Sequence, residues 1–553
     1  MSKALQDYAH FKALSSQESP GNGHSGTMLR RVLTKGHKPR ICVVGAGVAG
    51  LRCAQVLSKG GLDVTLLEAR DRVGGRMYQS NLGGHLVDHG PNWIHGLHEN
   101  PILDLAKDLE DTLLDVPEVK PTVYDQDGRL LSVEDGGHCS RLMWEIIEEA
   151  FKYSDHGADS IPQDRSLLDF FKFKLKEKNI PTLTAERVLN LCQSWGDYIG
   201  GDIDRQSLKY LWLEETIDGG NVFLASTYRA ILDRISNDVL PHVNLQLSTK
   251  VTSISTPTPE ESATTAVPVT VTTWQNETAQ FDEIVMTAPL GWLKRNTNAF
   301  QPNLPKPLQT AIKNISYGAL EKVYLTFPSA FWLSPADHQK PKPFFNHWLA
   351  PAYISHHWAV ECAFLSSLPA PHSHPTLLFY MHGALATHVT TLASKLNPTT
   401  PEYLTALSDF FKPYYSLLPN YDPTAPACSP SHALATNWQN EEFAGWGSYS
   451  NFQISDPEVV GKVDFDKDIE ALRKGVPERR LWFAGEHTAP FIALGTVTGA
   501  WCSGESVAKR ILRAYGVNDV VVPGVEIGDE TGRELGVEEG KVAVKRGGTG
   551  LGA

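Results

Sequence analysis

The segment Arg40–Arg76, RICVVGAGVAGLRCAQVLSKGGLDVTLLEARDRVGGR, constrains the fold more than any other stretch of the chain. Arg40–Gly45 is a short apolar run ending in glycine. Val48–Ser58 then carries apolar residues at helical spacing and stops at Gly60-Gly61, and Leu62–Leu67 is a second apolar run. Strand, helix and strand in that order make a β-α-β unit with parallel strands. Gly45, Gly47 and Gly50 occupy the turn between the first strand and the helix as GxGxxG. The first glycine permits the tight turn, the second lets the backbone approach a pyrophosphate, and the third brings helix against strand, so that the pyrophosphate sits at the helix N-terminus. Glu68 ends the second strand where a carboxylate accepts hydrogen bonds from a ribose hydroxyl and repels an extra 2′-phosphate. The unit predicts a dinucleotide site.

The remaining bulk properties narrow the class. A chain of 553 residues holds material for several cores or for two large domains with insertions. A formal charge of −13, with no long basic run, argues against a nucleic-acid partner and suits a cationic small molecule better. The seven cysteines, Cys42, Cys53, Cys139, Cys192, Cys362, Cys428 and Cys502, are odd in number and lack CxxC spacing, which fits neither a zinc site nor a disulfide framework. With no signal-peptide core and no apolar run of membrane-span length, the expectation is a cytoplasmic protein with no metal and no membrane partner.

Along the chain, residues 1–37 mix Ser, Gly, His and Lys without periodicity and read as a flexible leader; the Gly-rich residues 516–553 read as a flexible tail. SRLMWEIIEEAFKYS, SLLDFFKFKLKEKN and TAERVLNLCQSWGDYIG are three amphipathic helical patterns with little strand signal around them. NLQLSTKVTSIS, VPVTVTTW and FDEIVMTAP read as a β-meander, with residues 255–266 as a hairpin loop between the first two. Pro-rich loops then alternate with strand-like runs such as EKVYLTF and PTLLFYMHG. The final block, RRLWFAGEHTAPFIALGTVTGAWCSGESVAKRILRAYG, is a strand, a loop and a helix, and is similar in type to the first β-α unit.

Ala69-Arg70-Asp71-Arg72-Val73-Gly74-Gly75-Arg76 extends the β-α-β unit with a glycine doublet, whose backbone N–H groups can face a second side of a diphosphate while an arginine adds charge. This extension resembles that of flavoproteins of the amine oxidase family. The resemblance spans about residues 38–515 and rests on four further segments in the family's order. These are Gly90-Pro91-Asn92-Trp93-Ile94-His95-Gly96 with Asn100-Pro101, FDEIVMTAPLGWLK, ISYGALEKVYLTF and Gly485-Glu486-His487-Thr488. Within the family the chain looks like a polyamine oxidase, related to spermine oxidases and flavin-dependent histone demethylases, although no tower insertion is apparent.

The resemblance implies an α/β fold: a Rossmann-like FAD-binding domain built from discontinuous segments, 38–115, 216–299 and 440–515, and an α+β substrate-binding domain from the helical part 116–215 and residues 300–439. It implies FAD, held by Gly45, Gly47, Gly50, Glu68, Arg70, Gly74, Gly75, Arg76, Asn92, Trp93, Val251, Gly485, Glu486, Thr496 and Val497. Attachment should be non-covalent, because Ser448-Tyr449 stands where monoamine oxidases carry a Cys-Tyr pair with flavin bound through the cysteine.

For chemistry, the resemblance assigns Lys322 to the lysine that holds a water against flavin N5. On periodicity alone Lys322, Tyr324 and Thr326 would instead face solvent, opposite Val323, Leu325 and Phe327. His95 matches the histidine near the substrate path, while His85, His89 and His98 read as loop residues. Tyr449 is the candidate aromatic wall. In GTVTGA, threonine replaces the second cage tyrosine, which brings Thr496 into the catalytic set, and Asn451 stands where relatives often carry tyrosine. Trp212, Glu214 and Glu215 are candidates for anchoring a cationic substrate, and an ordinary helical or loop surface explains them as well. The implied reaction is hydride transfer from the carbon beside an amine nitrogen to flavin N5, imine hydrolysis, and reduction of O2 to H2O2, with polyamines the leading substrates. Oxidation of an amino acid or a specialised-metabolite amine, and a catalytically silent flavin-containing binding protein, are the alternatives.

Overall fold

The glycine-rich unit folds as its pattern dictates. Strand Arg40–Val44, helix Val48–Lys59 and strand Asp63–Leu67 follow one another, and the two strands pair in parallel with Val43 beside Leu66. The computed structural model describes residues 2–15, 30–31, 37–107, 109, 113–115, 121–264, 267–334, 343–353, 358–454 and 463–517. The expected tail lies almost wholly outside the described residues, as does most of the leader.

Distant segments complete the parallel sheet. Glu283–Met286 pairs with Arg40–Val44, Leu481–Phe483 pairs with Glu283–Met286, and Asn244–Gln246 flanks Asp63–Leu67, giving five strands in the order 481, 283, 40, 63, 244 by first or nearest residue. The sheet's outer layer is the pair of helices Val48–Lys59 and Val497–Ala514, whose Leu51, Val56, Val507 and Ile511 share one core with Val43 and Val64. The expected meander is divided between two sheets. Val251–Ser255, Val269–Thr273 and Thr278–Phe281 are antiparallel neighbours, with Phe300–Gln301 beside the first. FDEIVMTAP, read as one run, breaks at Asp282 so that its apolar second half enters the parallel sheet, where all four residues are buried. The hairpin connection holds a short helix, Pro259–Thr264.

The second large sheet has six strands in the order His432–Ala435, Glu321–Thr326, Thr376–Met381, Val360–Phe364, Phe345–Trp348 and Thr122–Tyr124. Thr122–Tyr124 is a strand inside the block read as helical, recruited because its parallel partner Asn346–Trp348 offers an open edge. The three helical patterns become Val133–Gly157, Leu167–Glu177 and Thr182–Leu191, the last relaxing into a tighter turn at Cys192–Trp195 and a short helix Gly196–Ile199. Two helices not foreseen, Gly383–Ala393 and Pro401–Tyr415, cover one face of the six-stranded sheet, where Val323, Leu325 and Phe379 meet Leu407 and Phe411. The other face carries Tyr324, Leu378 and Tyr380 against Phe223 and Phe344. With both faces covered, every residue of Glu321–Thr326 is buried, so the solvent-facing position that alternation suggested for Lys322 does not exist.

The leader is not uniformly flexible. Lys3–Ser15 is a helix whose Ala4, Asp7 and Phe11 are buried. Asp7 bonds Arg473 at 2.8 Å and accepts the Phe491 N–H at 2.8 Å. A charged residue on the buried face hides the helical period from a hydrophobicity count, because the burial of Asp7 depends on a partner some 470 positions away.

Candidate active site

A cavity of about 870 Å³ runs between the parallel sheet and the six-stranded sheet, within the size range of small-molecule sites. Its first end is made of backbone. Helix Val48–Lys59 begins at Gly47, which has extended geometry and no side-chain cap, leaving the first-turn N–H groups and the positive end of the helix dipole for an anion. A Cβ on Gly50 would stand 1.9 Å from the Gly45 carbonyl oxygen, so helix and turn touch through backbone atoms. A Cβ on Gly75 would lie 3.3 Å from the Gly47 Cα, which brings the glycine doublet onto the first turn, while nothing lies within 4 Å of the Cβ position at Gly47. That open cradle faces the cavity, and Gly45, Gly47, Gly74, Gly75 and Val251 line it. Gly50 does not line it and serves the packing role its motif position requires. The buried Glu68 carboxylate accepts the Ala46 N–H at 2.7 Å and the Arg70 N–H at 2.9 Å, which fixes it at the cavity wall. These residues fit a dinucleotide of the FAD type.

The two arginines do more scaffolding than the sequence suggested. Arg70 donates through Nε to Glu441 at 2.9 Å, and Arg76 donates to Tyr317 at 3.1 Å, to the Ser448 carbonyl and to Glu486 at 3.2 Å. Glu486 also accepts the Ser450 hydroxyl at 2.6 Å, and the Gly485 N–H reaches Ser503 at 2.9 Å, so GEHT is tied to residues 448–450 and to the last helix. Thr496 caps that helix: its hydroxyl accepts the Gly499 N–H at 2.9 Å and donates to the Ala493 carbonyl at 2.7 Å. Thr496 and Val497 line the cavity, but the Thr496 proton is engaged in the cap, which places it outside proton-transfer chemistry.

Lys322 stands where the two ends meet. Its Nζ donates to the Gly90 carbonyl and to Asn92 Oδ1. Asn92 Oδ1 also accepts the Tyr380 hydroxyl at 3.2 Å, and Tyr380 accepts the Trp93 Nε1–H at 3.3 Å. Asn92, assigned to the cofactor from the sequence, thus also holds the Lys322 amine, and Trp93, assigned with it, braces Asn92 through Tyr380. Burial lowers the Lys322 pKa to about 7 against the opposing charges of Asp88 and Glu321. A neutral amine has two N–H donors, both used here, and its lone pair is left to take a proton. His95 lines the cavity, and its Nδ1 lies 3.0 Å from Asn221 Oδ1. Burial lowers its pKa, with the Asn221 bond opposing, so the neutral ring donates through Nδ1 and keeps Nε2 as an acceptor. The other three histidines divide: His89 bonds Ser80 at 2.7 Å and also lines the cavity, His85 stacks on His374, and His98 is exposed.

The far end is aromatic and acidic. Tyr449 lines it, with its hydroxyl donated to the Tyr198 carbonyl at 2.8 Å. Asn451 is fully buried, donates to the Ile199 carbonyl at 2.9 Å and is absent from the lining. Trp144 packs edge-on against both Trp195 and Tyr198 on the wall. Glu148, Asp155, Asp197, Glu214, Glu215 and Glu361 also line it. Trp212 and Glu214 belong to the turn Leu211–Glu214, in which Trp212 is buried, so an ordinary surface does not account for them. Burial raises the pKa of Glu214 to about 8, raises that of Glu215, and lifts that of Glu361 well above the carboxylate range. Leu5 of the N-terminal helix and Ser2 just before it reach the same wall, where the Lys3 N–H bonds Asp155 at 2.7 Å.

Sequence reasoning missed Asp197, Tyr198, Tyr380 and Glu361. The cluster Trp195-Gly196-Asp197-Tyr198, an acid among aromatics on an amphipathic pattern, was a usable signal for the first two; Tyr380 and Glu361 sit in plain strand runs and give none. Among the described residues no group of three or more His, Cys, Asp or Glu is placed to hold a metal ion, and no helix is long and apolar enough to cross a membrane.

Comparison with known proteins extends the picture. The family model "Flavin containing amine oxidoreductase" matches residues 48–512, and "Pyridine nucleotide-disulphide oxidoreductase" matches residues 4–90. The chain is 27% identical to polyamine oxidase 4 of Oryza sativa subsp. japonica, over 87% of this chain and 91% of that protein. It is 28% identical to polyamine oxidase 2 of Arabidopsis thaliana, over 88% and 92%. Lysine-specific histone demethylase 1 homolog 2 of Oryza sativa subsp. japonica is 28% identical over 86% of this chain and 57% of its own length. The fold is similar to that of a putrescine oxidase double mutant, with a TM-score of 0.61 at 17% identity over 86% of this chain and 99% of the other.

Proposed function

The chain belongs to the flavin containing amine oxidoreductases, with FAD as its cofactor, and from that premise we propose that it oxidises polyamines, passing the electrons to O2 to give H2O2. The carrying observation is the far wall of the cavity, where the half-buried Glu214 and Glu215 and the buried Glu361 line one surface with pKa values raised by loss of solvent, a set of carboxyls that a neighbouring cation would draw back toward the charged form. The polyamine oxidases to which the chain is similar support the same reading.

FAD supplies a two-electron acceptor for the hydrogen on the carbon next to the amine nitrogen. The reacting nitrogen must be neutral to release that hydride, and this chain offers two groups that can take its proton: the lone pair of Lys322 Nζ and His95 Nε2. Asn92 and the Gly90 carbonyl fix the Lys322 amine, and Asn221 fixes the His95 ring. Trp195, Tyr198 and Tyr449 present apolar faces to the methylene chain and keep water from it. Ser448 cannot form a flavin thioether, and its Oγ accepts the Leu320 N–H at 2.8 Å, so FAD is held non-covalently there. An amino acid fits less well, because Arg70 and Arg76, the arginines on the lining, are paired with Glu441 and Glu486.

The test is anaerobic mixing of the yellow holoenzyme with spermine, spermidine, an amino-acid panel and aromatic amines, followed by a peroxide assay in air. Polyamines should bleach the flavin and generate peroxide. Bleaching by an amino acid alone, or by nothing in the panel, sinks the proposal. Acid precipitation should leave the yellow colour in the supernatant.

A further inference from the structure

Four polar side chains stand in one row across the six-stranded sheet. Lys322 is directly opposite Tyr380, Tyr380 opposite Glu361, and Glu361 opposite His347. Directly opposed residues of antiparallel strands share a face, so the four point the same way, and Lys322, Tyr380 and Glu361 line the cavity. Lys322 and Tyr380 are hydrogen-bonded through Asn92. Glu361 is not: it is 4% exposed, and its side chain makes no hydrogen bond among the described residues. Among the described residues the basic group beside it is His347, with Nδ1 at 3.6 Å from Oε2, and burial takes the His347 pKa down to about 4, so the ring is neutral and supplies no positive charge.

Asp197, the acid that acts on Glu361, is already matched. Asp197 accepts from His382 Nδ1 at 2.8 Å, and Asp202 lies 3.7 Å from Nε2 of the same ring. Burial works against the His382 charge, but Asp197 and Asp202 more than offset it and hold the pKa above its ordinary value. Tyr198 and Tyr380 also face Glu361, and both are neutral phenols whose ionisation burial suppresses. Among the described residues, Glu361 is therefore a carboxyl built into a wall with no cation of its own.

We propose that Glu361 is the residue that reads a second ammonium group, so that the cavity selects aliphatic diamines and polyamines over monoamines of equal length. The proposal deepens the polyamine-oxidase reading and rests on it. Glu361 is two strands from Lys322, and neighbouring strands lie about 4.8 Å apart, which puts the two backbone positions roughly 10 Å from each other. An extended aliphatic diamine spans that separation, with one nitrogen beside Lys322 and the other on Glu361. A neutral terminus would leave the carboxyl as it stands in the empty cavity.

The experiment reads binding without turnover. Holoenzyme reduced with dithionite under argon is titrated calorimetrically with 1,8-diaminooctane and with 8-amino-1-octanol, which is matched in length and lacks the second charge. The intact protein should bind the diamine at least tenfold more tightly. In Glu361→Gln the preference should fall below twofold, through loss of diamine affinity with the amino alcohol unchanged. Glu361→Asp, which keeps the charge one methylene further back, should restore part of it. Equal binding of the two compounds by the unaltered protein overturns the inference even if no variant folds, and so does a tenfold preference that survives in Glu361→Gln. Absence of flavin bleaching by any amine in the earlier test would sink the polyamine-oxidase reading and leave these binding results to decide the role of Glu361 by themselves.

Discussion

At one end of the cavity the contacts are made by glycine turns, helix N–H groups and a pinned glutamate, nearly all within residues 45–76. At the other end they are made by side chains from strands Glu321–Thr326, Val360–Phe364 and Thr376–Met381, from Gly196–Ile199 and from a helix at the N-terminus. A diphosphate is the same in every molecule of cofactor, so backbone dipoles on a short contiguous segment can hold it. A substrate is recognised by where its charges lie, and only side chains gathered from separate elements can be placed at chosen distances. The first end therefore tolerates little change in glycine and much in side chains, and the second end the reverse.

The severest test of that contrast is Gly50→Val. Its Cβ would meet the Gly45 carbonyl oxygen at 1.9 Å, and relieving the overlap shifts the turn by displacing backbone, at a cost of about 1–3 kcal/mol or more. The purified variant should carry almost no absorbance near 450 nm while keeping its far-ultraviolet dichroism; a yellow, active variant would break the comparison. Next in size is Lys322→Met, which should keep full flavin content but lose a factor of about 10²–10⁴ in the rate of anaerobic bleaching. Because burial lowers the Lys322 pKa to about 7, the amine is neutral and able to accept a proton above that pH and charged below it. Bleaching by the unaltered protein should therefore rise as pH increases through 7, and the variant should lack that step.

Asp7→Ala sharpens the comparison from outside either end. It leaves the buried Arg473 guanidinium without its carboxylate, and breaking such a pair should lower stability by about 3 kcal/mol, read by urea unfolding. Because the same helix places Ser2 and Leu5 on the cavity wall, KM for a polyamine should rise while flavin content holds. Tyr449→Phe should have the smallest effect. It removes one hydroxyl bonded to the Tyr198 carbonyl, worth about 1 kcal/mol, and keeps the aromatic face, so kcat should change less than fivefold. A loss of a hundredfold would mean that the phenol takes part in proton transfer.

The cofactor end was legible because its signals are local. A β-α-β unit, a glycine spacing and a terminal acid lie within one short segment, and each follows from backbone geometry that any sequence reader can apply. The N-terminal helix was not legible, since Asp7 interrupts its apolar stripe and is tolerated only through Arg473. FDEIVMTAP looked like one strand because nothing in its composition tells that Phe281 and Glu283 belong to different sheets. Lys322 was found through a motif and would have been lost by alternation, which assumes one wet face on a strand that has none.

The amino-acid sequence by itself determined the parallel β-α-β unit and the class of cofactor, because these depend on contacts between residues close in the chain, and it marked the family through short motifs that are each local. Tertiary structure alone decided that Lys322, Tyr380 and Glu361 stand in one row, and that Asp197 has a basic side chain at hydrogen-bond distance where Glu361 has none among the described residues. The physical reason is that the state of a buried charge is set by its neighbours in space and by the solvent it has lost, and neither quantity is written in the order of residues.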